Sequence, residues 1–210
     1  MYIVAMLTML IDHIGIVFAP DQLWLRMIGR LAMPIYCYCL VQGYQFTRSQ
    51  PIYLRRLVLL AVISQIPYSI ALEMTNFNII GAFVVCLLVL MGMDRVQRRW
   101  IKIVIAVAGV VFLDQIPFDY GAYTLLVVLM YRYVQTPWLI ATHVLLNSAY
   151  VLYTGGILQM LSTVSTIVLV VMPSLYGLLD RIRVKRWIWR SFYPAHLAVL
   201  AIFQTWFVLK

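Results

Sequence analysis

Charge is what this sequence has least of. Only 11% of its 210 residues are Asp, Glu, Lys or Arg, against about 25% in soluble domains. Acids are scarcer than bases: 7 Asp+Glu stand against 16 Lys+Arg, a formal net charge of +9. The three cysteines, Cys37, Cys39 and Cys86, all lie in apolar runs. An odd number so placed argues against a disulfide framework, and they read as small core residues. There is no Walker loop, no H-x-x-x-H or C-x-x-C spacing and no G-x-S-x-G. Soluble nucleotide, zinc and serine-hydrolase chemistry therefore lacks its usual parts, and no metal is expected. The start has no basic n-region and its first apolar run contains Asp-His, so no cleavable signal peptide is expected. No connection is long enough to hide a soluble domain.

What is present is apolar: 64% of the residues are hydrophobic and the mean hydropathy is +0.94. The composition reads as an integral membrane protein whose partner is the lipid bilayer. In lipid, backbone groups must be satisfied within a segment, so the spans are helices. We expect one all-α domain over 1–210, a polytopic bundle of about nine spans near 2–18, 25–46, 53–73, 78–93, 101–118, 121–135, 137–153, 157–179 and 191–209. Pro137 suits a helical first turn, and Gly155-Gly156 reads as a turn.

Orientation follows from the cations. Arg48, Arg55, Arg56, Arg95, Arg98, Arg99, Lys102, Arg132, Arg181, Arg183, Lys185, Arg186 and Arg190 flank even-numbered connections, thirteen of the 16 Lys+Arg. The positive-inside rule makes those connections cytoplasmic, with the N-terminus inside and Lys210 outside. This accounts for the basic excess without nucleic acid. A multi-pass protein of a bacterial plasma or inner membrane is the expected location.

Ionisable side chains inside such spans are costly and mark function by default. Asp12 and His13 stand together in the first span. Arg26 and Arg30 lie four apart at the outer end of the second, on one face. Arg30 is deeper and needs a partner; Asp12, at similar depth, is one, and backbone carbonyls or Asp119 are the alternatives. His143 and Asn147 share a face of the seventh span, either as an interhelical hydrogen bond or as part of a substrate site. Asp119, Tyr120 and Gly121 form a junction at the outer end of spans five and six. His196, one turn inside the expected ninth span, is either an interfacial structural histidine or a ligand for something entering from the cytoplasm. Ser162, Thr163, Ser165 and Thr166 read as packing residues.

Several of these stretches resemble one family. Thr8-Met-Leu-Ile-Asp-His-Ile-Gly15 is similar to the opening motif of the TraX family, and Leu25-Arg-Met-Ile-Gly-Arg-Leu-Ala-Met-Pro34 to its second. Val62-Ile-Ser-Gln-Ile-Pro67, Asp119-Tyr-Gly-Ala-Tyr123 and Phe192-Tyr-Pro-Ala-His196 follow in order. The resemblance implies a polytopic membrane protein of the kind that acetylates the N-terminal amine of conjugative pilin. It also implies kinship with membrane acyltransferases that use cytosolic acyl-CoA. Gln42 and Gln65 stand where the family has Glu, and Ser69 where an acid is common. These departures bear on the acceptor more than on the reaction.

The residues suit that chemistry. Transfer of an acetyl group from acetyl-CoA to an amine or hydroxyl of a protein, peptide or glycan needs a base, and imidazole serves most often. His13 is the expected base, with Asp12 orienting it and Arg30 stabilising the oxyanion. Arg26, Asp119, Tyr120, His143 and Asn147 are the expected acceptor side. His196, Tyr193, Arg55 and Arg56 are the expected acetyl-CoA side, although positive-inside alone would also place the arginines there. Two other readings use the same residues. A small proton-coupled transporter would use the Asp/His/Arg cluster as a relay, but no internal repeat is evident. A non-catalytic assembly protein would not need these groups buried together.

Overall fold

The computed structural model describes residues 2–174, 177 and 185–208. Arg181, Arg183 and Lys210 of the orientation argument lie outside the described residues, as does the end of the expected eighth span. All named elements are helices, so the all-α expectation holds. They are α1 (Tyr2–Phe18), α2 (Leu23–Gly29), α3 (Ala32–Phe46), α4 (Gln50–Leu72), α5 (Ile79–Arg95), α6 (Arg99–Gln115) and α7 (Gly121–Tyr133). After them come α8 (Leu139–Thr154), α9 (Thr163–Val171) and α10 (Arg186–Val208), with 3-10 turns at Thr136–Trp138 and Ile157–Ser162.

The expected second span is two helices. Pro34 lies in the first turn of α3, where its missing N–H costs nothing. Its ring excludes the carbonyl four residues back, which belongs to Arg30. The chain therefore breaks at Arg30-Leu31, and the Ser165 hydroxyl, from α9, donates to the Leu31 carbonyl at that break (2.9 Å). The other helix ends are conventional. The Asn78 side chain caps α5 by accepting from the Gly81 N–H (3.1 Å), and Gly155 (φ 75°) ends α8 in the left-handed region.

Among the described residues only α4 is long and apolar enough to cross a membrane; α1 and the stretch Ile157–Val171 are shorter apolar helices. At 23 residues and 1.5 Å each, α4 is about 34 Å long. Its outer face leaves Leu59, Val62, Ile63 and Ile66 between 54% and 71% exposed.

Two apolar clusters hold the helices. One centres on α3, α5 and α7, through Cys37, Leu87, Leu90, Leu125 and Val128. Cys37 and Cys86 are buried and Cys39 is half-buried, and none of the three is in a disulfide among the described residues. The other joins α1, α4 and α10 through Met9, Tyr68, Tyr193, Leu197 and Leu200. Ring pairs Tyr2–Trp189 (5.0 Å), His13–His196 (5.1 Å) and Phe18–Phe203 (6.4 Å) step along α1 and α10 together, so these two helices run parallel.

Two connections are tied to each other at one end. The Phe77 N–H donates to the Pro117 carbonyl and the Asp119 N–H to the Phe77 carbonyl, both at 2.8 Å. Gln65 of α4 fastens the same corner: its Nε2 donates to the Asn76 carbonyl (2.9 Å) and Ser69 Oγ (3.1 Å). Its Oε1 accepts from the Asn78 backbone (3.0 Å) and side chain (2.8 Å). An amide both gives and takes here, which a carboxylate could not do, so Gln65 and Ser69 build the corner that presents Asp119 and Tyr120.

Candidate active site

In α1, Met9, Asp12, His13 and Ile16 recur at helical spacing and so share a face. That face lines a small cavity of about 80 Å³, whose other walls come from α2, α3, α4, α5, α10 and the Asp119-Tyr120 junction.

His13 Nδ1 lies 2.8 Å from His196 Nε2. His196 Nδ1 in turn lies 2.6 Å from the Phe192 carbonyl. A carbonyl only accepts, so His196 Nδ1 carries a proton. In the neutral ring its Nε2 then accepts, and His13 Nδ1 must be the donor. The lone pair of neutral His13 is thereby fixed on Nε2, for which no partner exists among the described residues. His13 is a base whose tautomer is set by a second histidine and a backbone carbonyl rather than by Asp12.

Asp12 is committed elsewhere. Its Oδ1 accepts from Arg26 Nη1 at 2.8 Å, a largely buried ion pair. The expected Asp12–Arg30 contact is not formed. Gly29 sits directly against the Asp12 carboxylate, where a Cβ would overlap it. Gly15 similarly meets Leu25, whose Cβ would be 2.7 Å from an added Cβ. These two glycines let α1 and α2 close together. Arg26, one turn before Gly29, then reaches the acid, while Arg30, at the helix break, projects past it. The Arg30 Nη1 donates to the Tyr120 hydroxyl (3.0 Å) and to Gln159 Oε1 (3.4 Å). Among the described residues neither Asp119 nor a backbone carbonyl takes it.

Two buried donors at this cavity have no hydrogen-bond partner among the described residues: Arg30 Nε and the Tyr193 hydroxyl. Orphaned buried polar groups are rare and call for an explanation; here both could address negative charge in the cavity. Asp119 also lines it, from the connection outside the helices. Burial and, next, the Asp12 carboxylate raise its pKa to about 6, against the opposing pull of Arg30 and Arg26.

The expected residues thus separate into groups. Asp12, His13, Arg26, Arg30, Asp119, Tyr120 and Tyr193 meet at one cavity. His196 sits behind His13, not at a separate acetyl-CoA site one turn into its helix. The reason is that α10 begins at Arg186 rather than near 191, which places His196 ten residues along it. Arg55 and Arg56 are exposed on the second turn of α4, away from the cavity.

His143 and Asn147 do not reach the cavity. His143 bonds Thr166 Oγ1 (2.6 Å) and the Tyr123 hydroxyl (3.1 Å). Asn147 accepts from Tyr123 (2.7 Å) and donates to Ser162 (2.9 Å) and Thr163 (2.7 Å). Both are fully buried and stitch α7, α8 and α9 together. Gln159, which sequence reasoning passed over, is buried beside Arg30; only its polarity within an apolar run could have flagged it.

The chain is similar to known proteins along most of its length. The family model described as TraX protein matches residues 1–204. A probable fimbrial assembly protein, FimC of serogroup H1, from Dichelobacter nodosus is 26% identical over 230 aligned residues, covering 94% of this chain and 91% of that protein. An uncharacterised protein of Rickettsia prowazekii (strain Madrid E) is 45% identical over 42 residues, 20% of this chain and 16% of its own. No solved structure matches. With residues 1–204 covered, the chain belongs to the TraX protein family.

Proposed function

We propose that this protein is a membrane-embedded acetyltransferase. It takes an acetyl group from acetyl-CoA at the cytoplasmic side and delivers it to an amine presented from outside, such as a protein N-terminus. The observation that carries this reading is the fixed lone pair on His13 Nε2, facing a small cavity that also holds two unpartnered buried donors. His13 Nε2 takes a proton from the acceptor nitrogen as that nitrogen bonds to the thioester carbonyl carbon. Arg30 Nε–H and the Tyr193 hydroxyl donate to the carbonyl oxygen as it becomes an oxyanion. The C–S bond then breaks, and His13 returns the proton to the departing sulfur. The acetyl amide and CoA are the products.

Family membership and the fimbrial assembly relative support a pilus-related protein as acceptor. The nine-span arrangement with N-terminus inside and C-terminus outside rests on the cation distribution and on the parallel course of α1 and α10, which an odd number of crossings requires. The exposed apolar faces of α4 support lipid as the surrounding medium.

The test is CoA release by the purified protein in lipid nanodiscs, given acetyl-CoA and a peptide with a free N-terminus. The wild type should release CoA and acetylate the peptide. His13→Ala should fold and slow transfer by about 10²–10⁴-fold, the usual contribution of a placed general base. Near-normal turnover in that variant would remove His13 from the mechanism. Absence of acceptor-dependent CoA release by the wild type would remove the reaction.

A further inference from the structure

A cavity of about 80 Å³ admits a thioester but not the carrier behind it. A second space, a groove of about 320 Å³, lies against the same bundle. Its lining comes from the start of α1 (Tyr2), the middle and second half of α3 (Cys39, Gly43), the start of α4 (Tyr53, Arg56) and the start of α10 (Arg190). All of these except mid-helix Cys39 belong to the end of the bundle assigned to the cytoplasm. Tyr36 of α3 and Phe83 of α5 line both this groove and the His13 cavity. The two spaces are neighbours separated by two aromatic side chains.

We propose that the groove holds the pantetheine arm of acyl-CoA, with Arg56 and Arg190 taking the phosphates at its mouth and Tyr36 and Phe83 forming the gate that admits the acyl end to His13. This rests on the acyl-transfer reading and specifies its donor path.

Three features fit this occupant. From Tyr2 to His13 is eleven residues of α1, roughly 16 Å along the helix, a distance that an extended pantetheine arm covers. The lining is mainly apolar, as the arm's methylene and gem-dimethyl groups require, with Arg56 and Arg190 as its cations. Arg190 lies beside the Trp189 ring, 5.9 Å from its centroid, and Trp189 also lines the groove. Cationic and flat aromatic groups together suit a phosphorylated nucleotide. Because the gate is made of two large rings, it also limits the acyl chain that can pass.

The full-length protein in nanodiscs can be tested with desulfo-CoA, which lacks the reacting sulfur, as the binding probe. Binding should weaken about tenfold or more in Arg56→Glu/Arg190→Glu, an exposed and a half-buried position. It should be lost in Cys39→Trp, which fills the groove. In Phe83→Ala, transfer from butyryl-CoA relative to acetyl-CoA should rise several-fold. If Cys39→Trp does not fold, the arginine pair decides the groove alone. Equal desulfo-CoA affinity in the wild type and the arginine-pair variant would overturn the groove, as would failure of the wild type to bind the probe, even while CoA release continued. Unchanged acyl-length preference in Phe83→Ala would overturn the gate. Groove-dependent binding without any acceptor-dependent CoA release would leave the groove standing and remove acyl transfer.

Discussion

His196 Nε2 lies 2.8 Å from His13 Nδ1, joining two residues that are 183 apart in sequence. Since the Phe192 carbonyl holds the far nitrogen of His196, the pair acts as a unit with one free lone pair, on His13. His196 is then a positioning residue. His196→Gln keeps an oxygen able to accept from His13 Nδ1–H, whereas His196→Leu does not. Transfer should fall by about tenfold in the first and by up to ~10³-fold in the second, a fraction of the whole general-base contribution. A purely structural role would make both variants equally slow in proportion to their loss of thermal stability. Turnover and melting temperature measured on the same preparations separate the two cases.

The ion pair gives a second prediction. Asp12 bonds Arg26, not Arg30. Asp12→Ala should destabilise the fold by up to about 3 kcal/mol, because Arg26 is left largely buried without a counter-charge. Asp12→Ala/Arg26→Leu should recover much of that loss, while Asp12→Ala/Arg30→Leu should not. Unfolding in detergent, read as a double-mutant cycle, measures each coupling. A larger coupling to Arg30 would contradict the geometry. Gly29→Ala should mimic the damage, since its Cβ would displace the Asp12 carboxylate.

Much of this site was legible because expensive groups stand out in an apolar chain. Asp12, His13, Arg26, Arg30, Asp119 and Tyr120 were visible by type alone, and the structure brings them to one cavity. Partners were less legible. Treating 25–46 as one helix put Arg26 and Arg30 on a continuous face; Pro34, already in the sequence, breaks that helix at Arg30. Depth along a helix depends on where the helix starts: a start near 191 places His196 at the cytoplasmic edge, whereas α10 starts at Arg186 and carries it deeper. His143 was the opposite case. As a buried histidine in an apolar run it looks the same as His13 in sequence, and only its neighbours Thr166, Tyr123 and Asn147 distinguish a satisfied histidine from one with a free lone pair. Such long-range partners carry no local pattern.

That contrast is testable. His143→Ala removes one hydrogen-bond partner each from the Tyr123 and Thr166 hydroxyls, which keep Asn147 and Tyr131 respectively, at a cost of about 0.5–1.5 kcal/mol for each bond lost from this fully buried network. The melting temperature should drop clearly while turnover per folded molecule stays within a few-fold of the wild type. A large fall in turnover at unchanged stability would return His143 to the acceptor site.

Asp119 supplies a pH dependence that can be worked out in sign. It lies in the connection between α6 and α7, where burial and the nearby Asp12 carboxylate raise its pKa from 3.8 to about 6, in spite of Arg30 and Arg26. Between those two values the unfolded chain has released this proton and the folded chain still holds it. The folded state binds more protons in that window, so this group makes stability fall as pH rises from about 4 to about 6, and adds a constant penalty above. Asp119→Asn removes the ionisation. The difference in melting temperature, variant minus wild type, should be smallest at pH 4, grow in the variant's favour up to pH 6, and level off by pH 7. Thermal unfolding of both proteins in the same detergent across pH 4–8 measures it. A difference that does not vary with pH would mean that Asp119 titrates at its ordinary value, and one that favours the wild type at neutral pH would mean that Arg30 and Arg26 outweigh burial there.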